Sequence, residues 1–225
     1  MRTAATRPRQ LWPFVLIGLV IIGAIIAALT VYGPWRSSEP TATPTGTPVP
    51  TTTGVDDIDP TGCLGGSERD AAMVIAAQDE APHTSGGAIE VATAFVRWLN
   101  QYPYPRASDI DQIEKTALAA DAPTKDVAAF FASEPNLSGG LVPDRTEYYL
   151  STVPGVYNLE SVADDSVTAS IGTALVIEGA MSPTLKGSIT VTMQWQDDKW
   201  KFVSSEGTRT TEDLYSIGLP FTGGC

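Results

Sequence analysis

The feature that most constrains this chain is an uncharged apolar run at residues 14–32, FVLIGLVIIGAIIAALTVY. At a rise of about 1.5 Å per residue, a helix of that length matches a hydrocarbon core about 30 Å thick. A cleaved signal peptide is the competing interpretation, but its apolar region is about 7–15 residues long and ends at a small-x-small site. This run is longer, and residues 29–34, LTVYGP, contain no such site. We therefore predict an uncleaved transmembrane helix.

Basic residues near the run predict its orientation. Arg2, Arg7 and Arg9 precede it, whereas only Arg36 follows closely. Flanks rich in Lys and Arg stay in the cytoplasm. Residues 1–13 are therefore predicted to be a short cytoplasmic tail, and the rest of the chain is predicted to lie outside the cell membrane.

Beyond the apolar run, composition divides the chain into a linker and a domain. Residues 33–62 are rich in Pro, Thr, Ser and Gly and show no apolar periodicity, so they predict a semi-extended linker. Residues 63–225 are long enough for one domain with a sizeable core.

The charge of the chain is strongly acidic. Its net charge is −12, and all 26 Asp and Glu lie beyond residue 36 with only 10 of the Lys and Arg, which leaves that part at −16. Such a surface repels phosphate backbones, so no nucleic-acid partner is expected.

The two cysteines, Cys63 and Cys225, stand at the two ends of the predicted domain. A disulfide is permitted outside the cytoplasm. We therefore predict that they pair and tie the ends of the domain together.

Hydrophobic periodicity predicts helices first and strands afterwards. The pattern at residues 71–77 fits either a short strand or a helical turn. The predicted helices cover residues 88–101, 110–120 and 125–133, with Ser108 and Thr124 as cap candidates for the last two. The predicted strands cover residues 146–152 and 156–162, joined by a Pro154-Gly155 turn, and residues 167–177, 189–196 and 199–204. Residues 208–225 are expected to lie across the helices or the sheet without forming a strand.

The clearest strand signal is a hairpin near the end of the domain. A two-residue turn at residues 197–198 places Trp195 opposite Trp200 and Met193 opposite Phe202. Aromatic cross-strand pairs stabilise a hairpin.

Helices followed by an antiparallel sheet predict an α+β domain, with helices packed on a curved antiparallel sheet after the N-terminal transmembrane helix. About three helices, then four or more strands ending in the Trp-x-Asp-Asp-x-Trp-Lys hairpin, resemble the nuclear transport factor two-like superfamily over residues 86–206. That resemblance implies a sheet wrapped against helices into a cone. With the single N-terminal anchor, the layout resembles extracytoplasmic scaffold subunits of type IV secretion and conjugation machines. The low Lys content and the abundance of Ala, Thr and Pro are typical of an actinobacterial source.

Catalytic, metal and cofactor signals are weak. Enzymes of the superfamily use a His–Asp pair inside the cone, but the single histidine, His83, precedes the first clear helix, with Asp79 and Glu80 as its local carboxylates. The sequence has no cluster of metal-ligand residues and no Gly-rich phosphate loop, so we predict no metal, no cofactor and no catalytic residue. Residues 219–223, LPFTG, match the pattern cut by sortases, but the apolar span and basic tail that follow it in sortase substrates are missing, and we interpret the match as coincidence.

Three functions remain open from the sequence. The favoured hypothesis is a non-enzymatic, single-pass membrane protein whose outer domain contacts protein partners in an envelope assembly for conjugation or secretion. The alternative is a carrier or sensor whose cone binds a small apolar or lipid ligand. An enzyme with the cone as its active site is the least favoured hypothesis.

Overall fold

A computed structural model describes residues 59–206 and 209–225. The predicted cytoplasmic tail, the predicted transmembrane helix and nearly all of the predicted linker therefore lie outside the described residues. Within the described ranges, no helix has the length and apolar character needed to cross a membrane.

The described residues form an α+β domain with a curled antiparallel sheet, a half-barrel, as the sequence predicts. The helices are α1 (Ala71–Glu80), α2 (Ser85–Leu99), α3 (Ala107–Thr116), α4 (Val127–Ser133) and α5 (Thr211–Ile217). The strands are β1 (Gln101–Tyr102), β2 (Tyr148–Ala163), β3 (Ser166–Ile177), β4 (Ala180–Gln196), β5 (Lys199–Glu206) and β6 (Leu219–Pro220).

The sheet is an antiparallel meander in the order β1-β2-β3-β4-β5, with β6 also paired to β2. The short strands β1 and β6 bond different parts of β2, at residues 148–149 and 156–157. Helix α2 contacts β2, β3, β4 and β5, so it lies inside the curl of the sheet.

Helix α2 is the centre of the domain. Every residue from Gly86 to Trp98 is buried. On one side Phe95 and Trp98 pack with α1, α3 and α4, and on another side Val91 and Val96 pack against the sheet. A helix that is buried all round lies between two layers rather than on a surface. Here the layers are the other helices and the curled sheet.

Helix α5 covers β2, β3 and β4. A Cβ added at Gly172 of β3 would lie 3.1 Å from Leu214 and 3.0 Å from Tyr215, so a glycine allows α5 to approach the strand closely. Just before α5, Arg209 donates from Nε and Nη2 to both carboxylate oxygens of Glu160 on β2. These hydrogen bonds lower the pKa of Glu160 to about 2. The ion pair therefore holds the start of α5 on the sheet.

The structure corrects the predicted break in the first long strand. Residues 148–163 form one strand, because both halves pair with β3, through Ser151 opposite Ala174 and Val156 opposite Gly172. The register shifts between the two pairs, so Pro154 lies in an irregularity of the strand. Proline has no N–H to donate to a sheet ladder and is tolerated at such a site. The Pro-Gly pair therefore bends the strand and does not reverse it.

The structure decides the first helix, which the sequence pattern left undecided, and it moves the start of the second helix to an earlier residue. Residues 71–77 belong to α1, whose N-cap Asp70 accepts a hydrogen bond from Met73 N. Helix α2 starts at residue 85 rather than 88, because Thr84 Oγ1 accepts a hydrogen bond from Gly87 N. In both cases a side-chain oxygen satisfies an N–H of the first turn.

Caps at the next two helices were predicted wrongly. Helix α3 starts at residue 107, so Ser108 lies inside it, and its N-cap Arg106 makes no side-chain cap bond. Helix α4 starts at residue 127 behind Asp126, which accepts a hydrogen bond from Ala129 N, and not behind Thr124.

The C-terminal segment was expected to form no strand, and this expectation is wrong. It forms α5 and then β6, which places Leu219 opposite Tyr157. After β6, Thr222 N donates to Pro60 O at 3.0 Å, and Gly223 N donates to Thr61 O at 3.3 Å. The two ends of the described domain therefore run side by side.

The predicted disulfide between Cys63 and Cys225 is confirmed. The Cα atoms of the two cysteines are 5.4 Å apart. Cys225 also forms two hydrogen bonds with Thr152 of β2. Its backbone N–H donates to Thr152 Oγ1 at 2.9 Å, and its carbonyl accepts from Thr152 N at 3.0 Å. The bridge joins ends that backbone hydrogen bonds already hold together.

We predict that Cys225→Ser lowers the thermal midpoint and frees the C-terminal residues to proteases, while α2 and the β4–β5 hairpin persist. Chain-entropy models predict that a disulfide across a loop this long adds about 5 kcal/mol to the free energy of unfolding, because it restricts the unfolded chain. Circular dichroism gives the midpoint, and limited proteolysis with mass spectrometry locates the cuts. An unchanged midpoint and an uncut tail would contradict the prediction.

Candidate functional site

An apolar cleft opens where the C-terminal half of α2 meets α4 and β5. Its volume is about 290 Å³. Its lining includes the apolar residues Phe95, Leu99, Leu118, Val127, Phe130 and Phe202. The rings of Phe95 and Phe202 stack in the lining with their centroids 4.1 Å apart.

The segment after α3 shapes one wall of this cleft. Ala119 N donates to Phe202 O at 2.8 Å, and Phe202 N donates to Ala117 O at 2.8 Å. These bonds attach residues 117–119 to β5 and bring Leu118 to the cleft. Because Leu118 and Phe202 are far apart in the sequence, local periodicity could not indicate the cleft.

The rim of the cleft is polar and acidic. Thr124, Ser204, Ser205 and Glu206 complete its polar lining, and among the lining residues that the structure describes Glu206 alone is charged. Beside Val127, Glu114 Oε1 accepts hydrogen bonds from the backbone N–H groups of residues 127 and 128, at 2.7 and 3.2 Å. The site can therefore hold an apolar group, with the carboxylate of Glu206 in its lining and that of Glu114 beside Val127.

Two charged side chains on α2, Glu90 and Arg97, are buried and look at first like catalytic candidates. Glu90 accepts hydrogen bonds from Thr61 Oγ1 at 2.7 Å, Gly62 N at 3.1 Å and Leu64 N at 3.3 Å. All of these donors belong to the segment that carries Cys63. The carboxylate therefore holds the N-terminal segment against α2.

Arg97, two helical turns further along α2, also bonds this N-terminal segment. It is fully buried, and its Nη1 and Nη2 donate to the carbonyls of Gly66 at 3.1 Å and Glu68 at 3.3 Å. Burial lowers its pKa to about 10, and the nearby Arg69 adds to the effect. Both buried charges of α2 are thus bonded to backbone of one segment, which identifies them as structural groups. The sequence pattern did not reveal either role, since most of their partners are backbone groups.

His83 lies on the surface, as the sequence predicts, and the carboxylate beside it is Asp165, a residue distant in the sequence. Its Nε2 is 3.1 Å from Asp165 Oδ1 and 3.0 Å from the Asp164 carbonyl, in the turn between β2 and β3. The local candidate Asp79 pairs with Lys199 instead. The side chain of His83 is 41% exposed, and His83 does not line the apolar cleft.

The predicted Trp195–Trp200 hairpin register is confirmed. Trp200 is buried, and its Nε1 donates to the Pro82 carbonyl at 2.9 Å. The ring of His83 stacks on Trp195, with centroids 4.1 Å apart. The hairpin therefore fixes the loop before α2, and the stacked histidine has a packing role there.

A second, polar depression lies beside β1 and the start of α3. Two arginines, Arg69 and Arg106, line it together with Asp70 and Asp109. Arg106 Nε donates to Asp109 Oδ2 at 3.2 Å, and the Arg69 guanidinium lies 3.8 Å from the ring centroid of Tyr149. Both cations are already engaged. In the described ranges, no group of three or more His, Cys, Asp or Glu is placed to hold a metal ion.

No protein-family model, no curated protein and no solved structure matches this chain. The apolar cleft is therefore the candidate site on the strength of its own geometry.

We predict that Glu90→Gln destabilises the domain by about 2 kcal/mol, because an amide would present N–H groups to donors that now bond a buried carboxylate. For a domain of this size the thermal midpoint should fall by about 4–8 °C. The control is Glu80→Gln, which makes the same change at an exposed residue at the end of α1. Equal midpoints for the two variants would show that Glu90 does not hold the N-terminal segment.

Proposed function

We propose that this chain is a non-enzymatic, single-pass membrane protein whose outer domain binds a protein partner in an envelope assembly. The uncharged run at residues 14–32 and the preceding arginines support the anchor and its orientation. The Cys63–Cys225 disulfide supports an oxidising compartment for the domain.

The observation that carries the binding role is the apolar cleft. Pockets for small molecules measure about 300–1,000 Å³, and this one, at about 290 Å³, is just below that range. It has room for a ring or a branched side chain, but not for a two-chain lipid. A few side chains buried in such pockets, with aromatic ones prominent among them, carry most of the binding energy of a protein–protein interface.

The position of the cleft suits a tethered binding domain. The described chain begins beside Thr222 and Gly223, next to β6 at the β2 edge of the sheet. The cleft is built on β5, three strands further along the sheet. The start of the described domain and the cleft thus lie beside different strands, so a partner in the cleft does not need to displace residues 60–61.

The resemblance to nuclear transport factor two-like scaffold subunits supports conjugation or secretion as the setting of this assembly. The alternative function uses the same cleft to carry or sense a small apolar or lipid-derived ligand. A catalytic role is not proposed, since the His83–Asp165 pair lies on the surface rather than in the cleft.

The binding site is tested by photolabelling the full chain with benzophenone, a neutral apolar probe, in phosphatidylcholine nanodiscs. We expect adducts on peptides that line the cleft, and we expect Leu99→Trp to abolish them by filling it. The control is Leu141→Trp, the same change at an exposed leucine outside the lining. Mass spectrometry distinguishes the cleft from lipid-exposed peptides. Equal labelling of the cleft peptides in both variants would contradict the proposal.

The topology is tested with fusions after Cys225. A reporter that is active only outside the cytoplasm should be active there, because three arginines precede the apolar run. Activity of a cytoplasm-only reporter at the same position would refute the proposed location.

A further inference from the structure

Building on the proposed binding role, we infer that the cleft takes an aromatic or branched apolar side chain from a positively charged segment of the partner protein. Its apolar lining and acidic rim together define this chemistry.

The apolar part of the inference follows from the lining. Phe95 and Phe202 stack at 4.1 Å, and Phe130 and Leu99, both partly buried, complete an apolar wall. A flat or branched apolar group inserted there gains contacts with these rings while it leaves water. Burying such a side chain contributes about 1.5–3 kcal/mol, which suits one anchor residue of a larger interface.

The charged part follows from the rim. Glu206 is exposed, and its side chain makes no hydrogen bond or ion pair with the residues the structure describes. Glu114 and Asp126 lie at the start of α4 beside Val127, where they cap its N–H groups. The nearby cation, Lys125, already bonds the Ala120 carbonyl. Two carboxylates and one cation therefore lie beside the lining residue Val127, and Glu206 in the lining is free to meet a positive charge.

The rest of the domain favours the same partner. The chain beyond residue 36 carries a net charge of −16. Such a field attracts cationic segments and raises their association rate, and it repels anionic peptides and fatty-acid carboxylates. An anchor side chain with Lys or Arg beside it satisfies both the lining and the rim.

The test uses the full chain in phosphatidylcholine nanodiscs and three blocked, fluorescently labelled peptides. The first has Phe-Leu at its centre and Lys on both sides, the second has Glu in place of Lys, and the third has Ala-Ala in place of Phe-Leu. Fluorescence anisotropy measures binding, with empty nanodiscs as the blank. We expect the first peptide to bind most tightly, and its affinity to fall as salt is added.

Two pairs of variants locate the binding. Glu206→Gln should weaken binding of the first peptide about two- to fivefold, the range for one exposed ion pair. Glu147→Gln, the same change before β2, should leave the affinity unchanged, because β2 and β5 are separated by two strands. Leu99→Trp should abolish binding, and Leu141→Trp should not.

The outcomes separate this inference from the proposed function. If benzophenone labels the cleft but the Lys peptide binds no better than the Glu or Ala-Ala peptide, the inference is wrong and the binding site stands. If 2-phenylethylammonium binds as tightly as the Lys peptide, the cleft takes a small cationic ligand, and the inference that it takes a side chain of a partner protein is wrong. If neither benzophenone nor any peptide reaches the cleft, both proposals fail.

Discussion

The burial of α2 inside the curled sheet is the constraint on which the rest of the domain depends. A helix enclosed on every side has no face on which to expose a charge, yet α2 carries Glu90 and Arg97. An unpaired buried charge is strongly destabilising. Both side chains are bonded to backbone groups of residues 61–68, so this segment must stay on the helix for the core to remain stable. Two buried charges thereby convert an otherwise irregular segment into part of the fold.

Holding that segment determines where the two ends of the described domain meet. Once residues 61–64 lie on Glu90, Cys63 stands beside the last residues of the chain, which Thr152 of β2 holds in place. The disulfide then closes an arrangement that hydrogen bonds have prepared. Both ends of the described domain lie beside β2, whereas the cleft uses residues of β5, the last strand in the order of the sheet. The start of the described domain and the proposed binding site therefore lie beside different strands.

The cleft combines an apolar lining with an acidic surrounding. Its lining favours apolar groups, whereas Glu206 and the surrounding acidic surface favour cations. Lipids with anionic headgroups satisfy only the first property, and nucleic acids satisfy neither. A protein segment can satisfy both, because neighbouring residues supply the anchor and the charge. The proposed partner chemistry follows from this combination.

The sequence alone determined the α+β class, the pairing of Cys63 with Cys225 and the Trp195–Trp200 register, because each depends on local alternation, on turn chemistry or on a pair without competitors. The membrane anchor at residues 14–32 stays a prediction of the same kind. Only the tertiary structure decided that β2 continues through Pro154, that the C-terminal segment adds a strand, and that Asp165 meets His83. It also assembled the cleft from α2, α4 and β5. These features join groups distant in the sequence, and their partners are often backbone atoms, which leave no trace in side-chain periodicity.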